Sequence, residues 1–173
     1  MPRIGLISDT HNLLRPQVLA ALHGYDQLIH AGDIGKRGVL ETLSALAPLI
    51  AVRGNNDTDQ WTEELPATAN LRVDEIRIHV LHDLQQLRLD PREAGFQVVI
   101  SGHSHRPTIE QRDDVLYVNP GSAGPRRFNL PISIAELRVV GAAVSAKIIE
   151  LQLDAVAAAR TRRVRDARTA AHR

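Results

Sequence analysis

Short apolar runs alternate with amphipathic segments along the first 53 residues, and no other feature of the sequence restricts the fold as much. The apolar runs are rich in Ile, Leu and Val and are short enough to be buried strands. In the segments between them, apolar residues recur at helical spacing, with Pro16 suited to a first helical turn and Gly24 to the position after the last. A β-α-β-α-β order predicts parallel strands joined by right-handed crossovers. The predicted strands are 3–8, 26–31 and 48–53, and the predicted helices are 16–24 and 38–47.

Beyond residue 70 the sequence favours strands. Residues 70–82 alternate apolar and polar side chains around Asp74 and Glu75, which predicts a β-hairpin. A short helix is predicted at 91–95, before an apolar strand at 97–101. Parallel units followed by antiparallel hairpins predict a mixed α/β fold with two sheets and helices outside them. The remaining predicted strands are 108–111, 115–118, 132–139 and 143–153.

The composition limits the class of protein and the kind of metal site. A chain of 173 residues is long enough for one domain with a sizeable core. The chain contains no cysteine, so any metal ion must be held by nitrogen and oxygen ligands. The N-terminus lacks the charged and apolar regions of a secretion signal, and no apolar stretch has the length of a membrane span. We therefore expect a cytoplasmic protein.

The last residues of the chain are set apart by their charge. The formal net charge of the whole chain is only +1, yet arginine accumulates from residue 160 onward. We therefore divide the chain into a domain at 1–155 and a basic C-terminal helix or tail at 156–173. One interpretation of the basic segment is an arm for nucleic acid. We favour the other interpretation, an exposed and solvated chain end.

Side chains that commonly bind metal ions follow five of the predicted strands. In open α/β sheets ligands bind at the carboxyl ends of the strands, so residues that follow different strands can meet there. His103 and His105 lie two residues apart, so in an extended segment both side chains point the same way, into one small volume. In chain order, the residues that follow the five strands are Asp9 and His11, then Asp33, then Asn55, Asn56 and Asp57, then His82, then His103 and His105.

Taken singly, each of these residues also has an ordinary structural interpretation. Aspartate and asparagine are common in turns and at helix starts. Ser122 is not expected to be a nucleophile, because Pro120 stands where a nucleophile elbow has glycine. A histidine in a helix, inside a strand or in the tail is assigned a structural role. The histidines assigned in this way are His23, His30, His79 and His172.

The chain resembles the calcineurin-like metallophosphoesterase superfamily in five ordered motifs: DTH (9–11), GD (32–33), GNND (54–57), a lone His82 and GHSH (102–105). Its small size and its HAGD and NPGS segments are similar to the YfcE-like phosphodiesterase branch of that superfamily. The resemblance covers residues 3–150. It implies an α/β fold of the metallophosphoesterase type, a four-layer α-β-β-α sandwich of two mixed sheets.

The same resemblance implies a dinuclear metal centre. Asp33 would bridge two divalent ions, and each histidine of the GHSH motif would serve a different ion. We expect Mn²⁺ first, with Fe, Ni, Co, Zn or Mg as alternatives. One ion would be held by Asp9, His11, Asp33 and His105, and the other by Asp33, Asn55, His82 and His103. The residues expected to take part in catalysis are Asp33, Asn55, Asn56, His82 and His103.

The activity implied by the resemblance is hydrolysis of phosphodiester bonds by a metal-activated hydroxide, with weak action on monoesters. Asn56 stands where many members of the superfamily have a histidine that is thought to protonate the leaving group, and an amide cannot do this at neutral pH. This departure predicts a preference for acidic leaving groups such as aryl alcohols. Asn12 and Asp83 replace glycines that are more common in the superfamily, which predicts an altered pocket mouth.

Two other functions stay open. A non-catalytic protein-binding scaffold of the same fold, like the retromer subunit, would tolerate Asn56, although the complete ligand set favours an enzyme. A nuclease would share the metal site but would need a DNA-binding surface, and the length of the chain leaves room for this only in the tail. The expected partner is a small phosphodiester substrate, with nucleic acid not favoured and no membrane contact. An exposed β edge would allow a homodimer or a higher homo-oligomer.

Overall fold

A computed structural model describes residues 1–153, in which the predicted apolar runs are strands of two β-sheets. Residues 154–173 lie outside the described part, and with them the predicted basic segment 156–173. The strands are β1 (Arg3–Ile7), β2 (Gln27–His30), β3 (Leu49–Ala51), β4 (Thr68–Val73), β5 (Ile76–Leu81), β6 (Val98–Ile100), β7 (Thr108–Arg112), β8 (Val115–Asn119), β9 (Ser133–Val140) and β10 (Ala143–Glu150). The helices are α1 (Pro16–Leu22), α2 (Arg37–Ser44) and two 3₁₀ helices, Gln60–Glu64 and Leu84–Gln86. None of these helices is long and apolar enough to cross a membrane.

Both sheets are mixed, as the sequence predicts. The first has the order β10-β9-β1-β2-β3, in which β1, β2 and β3 are parallel and β9 and β10 form an antiparallel hairpin. The second has the order β4-β5-β6-β8-β7, in which β5, β6 and β8 are parallel and β4 and β7 are antiparallel to their neighbours. Each sheet therefore contains three parallel strands whose carboxyl ends point to the same edge.

Most of the apolar burial lies between the two sheets and beneath the two α-helices. Leu6 on β1 is fully buried in the layer between the sheets, together with Ile78 on β5 and Ile100 on β6. On the other face of the first sheet, α1 and α2 pack through Leu22 and Leu43. Each such side chain contributes about 1.5–3 kcal/mol when buried. Packing on both faces holds the central strands firmly, and with them the loops that follow.

The outer layer over the second sheet is thinner than the outer layer over the first. Leu81, Val99 and Val115 are covered there by Leu84 and Leu87, in and just after a 3₁₀ helix. The short helix predicted at 91–95 is wrong, because these residues form a turn in which Gly95 adopts a left-handed backbone (φ 78°) that stops helical continuation. The fold class itself, α/β with two mixed sheets, is confirmed.

Candidate metal centre

The carboxyl ends of β1, β2, β3, β5 and β6 meet at one edge of the sandwich. Backbone hydrogen bonds join the loops there: the Asp9 N–H donates to Gly32 O at 3.0 Å, and the Gly102 N–H donates to His82 O at 2.9 Å. These loops come from both sheets, so the site forms only when the sheets are packed. The structure brings together all seven predicted metal ligands, Asp9, His11, Asp33, Asn55, His82, His103 and His105.

Asp9, His11 and His105 form a first group of potential ligands. His105 Nε2 lies 3.3 Å from Asp9 Oδ1 and 3.3 Å from His11 Nε2. Asp33 Oδ2 approaches the same group, at 3.6 Å from His11 Nε2. The first group and Asp33 are the four residues predicted for one ion.

Asp33, His82, Asn55 and His103 form a second group. His82 Nε2 lies 3.4 Å from Asp33 Oδ2 and 3.1 Å from Asn55 Oδ1, which in turn lies 3.0 Å from His103 Nδ1. Asp33 Oδ2 therefore lies beside both groups, as a bridging carboxylate would. Asp9 Oδ1 also approaches the second group, at 4.0 Å from His82 Nε2, which the sequence did not predict.

The spacing and chemistry of these atoms fit divalent cations. Nitrogen and oxygen ligands about 2.0–2.2 Å from one ion lie roughly 3–3.6 Å from each other, and the ligand atoms described above lie mostly 3.0–3.6 Å apart. Asp9 Oδ1 is buried without a hydrogen-bond partner among the described residues. A buried carboxylate oxygen without a partner is unfavourable, and a bound cation would compensate it.

His82 is oriented by a hydrogen bond on the side of the ring that faces away from the centre. Its Nδ1 lies 2.7 Å from Ala31 O, and because a carbonyl oxygen only accepts, Nδ1 must carry the proton. In the neutral ring, the lone pair of Nε2 is then directed towards Asp33 and Asn55. Partners of this kind fix the tautomer of metal-binding histidines.

Charges within the centre act on the pKa values of its members. Burial raises the pKa of Asp33, but a hydrogen bond from the protonated ring of His82 and hydrogen bonds from Asn56 outweigh burial and hold that pKa well below its usual range. Burial lowers the pKa of His82, but its hydrogen bond to Asp33 and the charge of that carboxylate outweigh burial and raise the pKa. Burial also lowers the pKa of His11, and here burial prevails. Asp33 is therefore an anion near neutral pH, and its charge attracts either a proton to His82 or a metal cation.

Comparison with known proteins identifies the family. The calcineurin-like phosphoesterase superfamily domain matches residues 2–141. The chain belongs to this superfamily. A probable metallophosphoesterase of Methanothermobacter thermautotrophicus is 35% identical over 84% of the chain and 91% of that protein. Phosphodiesterase YfcE of Escherichia coli is 30% identical over 79% of the chain and 88% of that protein. The crystal structure of Vps29 from Chaetomium thermophilum superposes with a TM-score of 0.77 at 23% identity, over 90% of the chain and 91% of Vps29, which shows the fold alone.

The ligand loops of this metallophosphoesterase domain have a strained backbone. Five of the seven predicted ligands have left-handed φ values, an uncommon conformation for residues other than glycine. Such strain persists only where surrounding contacts enforce it, and it concentrates at functional sites. The five are Asp9 (φ 54°), His11 (42°), Asp33 (55°), His103 (67°) and His105 (58°).

Two motif glycines leave room for ligands from other loops. A Cβ on Gly54 would lie 2.1 Å from Asp33 Oδ1. A Cβ on Gly102 would lie 2.8 Å from Asp9 Oδ2 and still closer to Ser8 Oγ, which itself donates to Asp9 Oδ2 at 2.7 Å. The glycines of the GNND and GHSH motifs are therefore required by close packing between loops.

The NPGS segment joins the first and last motifs of the superfamily pattern. Ser122 is buried, and its hydroxyl donates to the backbone oxygen of Asp9 at 3.0 Å, consistent with its exclusion as a nucleophile. The Asn119 side-chain amide donates to Gly102 O at 2.7 Å. The sequence did not predict that Asn119 and Ser122 support these loops, because the NPGS segment was noted there only as a similarity to the YfcE-like branch.

Two further buried polar residues hold the ligand loops together. His30 is fully buried, accepts from the Gly32 N–H at Nδ1 (3.1 Å) and lies 3.0 Å from Thr10 Oγ1 at Nε2. The Asp57 carboxylate accepts from the backbone N–H groups of Ile34, Gly35 and Gly54. Asp57, a possible ligand from its place after a strand, instead supports the loops through backbone hydrogen bonds, and His30 has the predicted structural role.

Solvent reaches the centre from one side. Asp9, Asp33, His82 and His105 are buried, whereas Asn55 and His103 are exposed. Two clefts open on the exposed side: one of about 310 Å³, lined by Asn55 and His82, and one of about 250 Å³, lined by His103. Asp83 lines both clefts as well. Its carboxylate therefore lies at the mouth of the pocket, where glycine was noted as more common in the superfamily.

Proposed function

We propose that this chain is a dinuclear metal-dependent phosphodiesterase that hydrolyses a small phosphodiester and acts weakly on monoesters. The observation that carries the proposal is the convergence of seven nitrogen and oxygen ligands from five strand ends into two groups on either side of Asp33. The similarity to phosphodiesterase YfcE supports the same reaction class.

In the proposed reaction, a water oxygen forms a bond to phosphorus while one P–O ester bond breaks. The products are a phosphomonoester and the leaving alcohol, which departs as its anion, while the proton of the attacking water passes to solvent. Bound divalent cations would lower the pKa of a coordinated water and neutralise charge on the phosphoryl oxygens. Asp33 would remain ionised throughout, because its hydrogen bonds hold its pKa low.

The residues on the open side of the centre would meet the substrate. Asn55 and His103 are exposed at the clefts, whereas Asp9 and His105 lie deeper. Asn56 donates from its backbone and its side chain to the two Asp33 oxygens, at 2.9 and 2.7 Å. We infer that Asn56 positions this carboxylate and supplies no proton to the leaving group. The leaving alcohol must then be acidic, so aryl esters should react best.

The metal in use is proposed to be Mn²⁺, with Fe, Ni, Co, Zn and Mg as alternatives. Carboxylate, amide and neutral imidazole ligands suit all of these ions, and affinity alone would favour Ni or Zn. A scaffold function without catalysis would not require a complete ligand set, and the set here is complete. We therefore place the enzyme first and treat the scaffold as the outcome of a negative test.

The test is hydrolysis of bis(p-nitrophenyl) phosphate by protein stripped of metal with a chelator and then supplied with Mn²⁺ or another divalent ion. His103→Ala is compared with His23→Ala. His23 is exposed and lies between the end of α1 and the start of β2, away from the carboxyl ends of the strands. We expect metal-dependent hydrolysis by the wild type and by His23→Ala, and a loss of at least about 100-fold in His103→Ala. Slower hydrolysis of p-nitrophenyl phosphate would confirm the weak monoesterase activity.

Metal content provides the control for this experiment. Two ions per wild-type chain, measured by elemental analysis, would agree with a dinuclear centre. Two bound ions without turnover of any aryl diester would refute the enzyme hypothesis and leave the scaffold. No metal binding at all would refute both the centre and the reaction.

A further inference from the structure

The larger of the two clefts on the open side of the centre contains an arginine beside two predicted metal ligands. Arg53 lines this cleft of about 310 Å³ together with Asn55 and His82, and the cleft is here called the Arg53 cleft. Its wall also includes Thr68 at the start of β4 and Gln86 at the end of a 3₁₀ helix. Its volume is at the low end of the range for small-molecule sites. A small ester group of a substrate bound at Asn55 and His82 would therefore fit in it.

The Arg53 side chain has no partner among residues 1–153, although its backbone is held firmly. The Arg53 N–H donates to Pro66 O at 2.8 Å, and the next residue, Gly54, donates to Asp57 Oδ2 at 2.9 Å. The side chain itself is half-buried. In this part of the chain, the ion pairs and the side-chain hydrogen bonds of arginine all involve other arginines. The N–H donors of its guanidinium are thus left for solvent or for a ligand.

The smaller cleft, here called the Tyr117 cleft, also contains an arginine, but the charge of that arginine is compensated. Arg112 forms an ion pair with Glu110, and its guanidinium lies 5.0 Å from the centre of the Tyr117 ring. Asp83 lines both clefts and forms no ion pair with Arg53. Its Oδ1 accepts from the Gln85 N–H at 3.0 Å, and Gln85 lines the Tyr117 cleft. The uncompensated positive charge therefore lies in the Arg53 cleft.

We propose that Arg53 selects phosphodiesters whose non-leaving alcohol carries a second anionic group, a carboxylate or a phosphate, which it binds in the Arg53 cleft. A guanidinium pairs well with either anion because its N–H groups form a planar fork. The aryl leaving group would occupy the other cleft, beside the ring of Tyr117. This inference rests on the proposed phosphodiesterase function and names the substrate class of the same centre.

The kinetic test uses diesters that share p-nitrophenolate as the leaving group and differ in the charge of the other alcohol. These are ethyl, carboxyethyl, phosphonoethyl and trimethylammonioethyl p-nitrophenyl phosphate. We expect the wild type to hydrolyse the two anionic esters with a kcat/KM about tenfold or more above that of the ethyl ester, and the cationic ester most slowly. The ratio between the two anionic esters shows which anion the cleft binds better.

Variants of Arg53 show whether this residue causes the preference. Arg53→Ala should remove the preference and leave hydrolysis of the ethyl ester nearly unchanged. Arg53→Glu should favour the trimethylammonioethyl ester over the anionic ones. The matched control is Arg72→Glu, at an exposed arginine near the opposite end of β4 from Thr68, and it should keep the wild-type preference. Equal metal content and equal melting temperature would show that the variants are folded.

Binding of the product carboxyethyl phosphate, measured by calorimetry in the presence of Mn²⁺, separates this inference from the proposed function. It should bind about tenfold more tightly than ethyl phosphate to the wild type and to Arg72→Glu, and no more tightly than ethyl phosphate to Arg53→Ala. Wild-type turnover without a preference, or with one that persists in Arg53→Ala, would overturn the inference alone. An equal loss on all four esters in Arg53→Ala would place Arg53 at the reacting phosphoryl group and would also overturn it. Tighter binding of carboxyethyl phosphate that depends on Arg53, without any turnover, would support the anion site and refute the phosphodiesterase.

Discussion

Replacing His30 should make the free energy of unfolding less dependent on pH between neutral and acidic conditions. His30 is fully buried beneath the centre, and its two ring nitrogens contact the loops that carry Asp9 and Asp33. Thr10 Oγ1 donates its proton to Ile34 O, so it accepts from the Nε2–H of His30, while Nδ1 accepts from Gly32. The contact at Nδ1 requires the neutral ring, since a proton on Nδ1 would face the Gly32 N–H.

The magnitude follows from the pKa of this ring. Burial lowers the pKa of His30 from 6.5 to about 4. Below about pH 6.5 the histidine is therefore protonated in the unfolded chain, whereas in the folded protein it stays neutral down to about pH 4. The contribution of His30 to the free energy of unfolding is complete above about pH 6.5 and decreases between these two pH values. Protonation of the folded state is disfavoured by about 3 kcal/mol. Between pH 7.5 and 4.5, about 2.5 kcal/mol of unfolding free energy should be lost through His30 alone.

The assay is urea unfolding at pH 7.5 and 4.5 in the presence of a chelator, so that metal binding does not contribute. His30→Asn keeps an acceptor for the Gly32 N–H but does not titrate. The free energy of unfolding of this variant should fall less between the two pH values than that of the wild type, by about 2.5 kcal/mol. His23→Asn, at an exposed position, should behave as the wild type. An equal loss in wild type and His30→Asn would refute the argument.

Three further predictions concern the centre and its supports. Asp57→Ala should lower the free energy of unfolding, measured in urea titrations, by about 3 kcal/mol or more, because it leaves three backbone N–H groups without their acceptor. A loss below about 1 kcal/mol would contradict this supporting role. Metal affinity, measured by calorimetry, should fall as the pH is lowered from about 8 to 6, because the pKa of His82 is raised and a proton competes with the cation for its ring nitrogen. A metal affinity that does not change over this pH range would show that His82 is not a ligand. Asn56→His should increase the rate with alkyl leaving groups relative to aryl ones at least about tenfold, and an unchanged ratio would argue against a missing general acid at this position.

The elements of the fold were predictable because their signals are local. Apolar runs of strand length and Pro16 at a helix start are properties of neighbouring residues, and the structure contains β1, α1, β2, α2 and β3 in the predicted order. The helix predicted at 91–95 failed because five residues are too few for local preference to outweigh a turn. The ligands could be found for a related reason: each follows a strand, and parallel strands end at a common edge.

The sequence by itself determined which residues can chelate a metal and that they lie at strand ends. The family resemblance also implied how these residues divide between two ions. Only the tertiary structure decided that Asp9 approaches both groups and that Ser122, Asp57 and His30 support the loops. The reason is that these contacts join residues that are mostly 20 to more than 100 positions apart. Their distances depend on how the two sheets pack, and no local pattern in the chain encodes that packing.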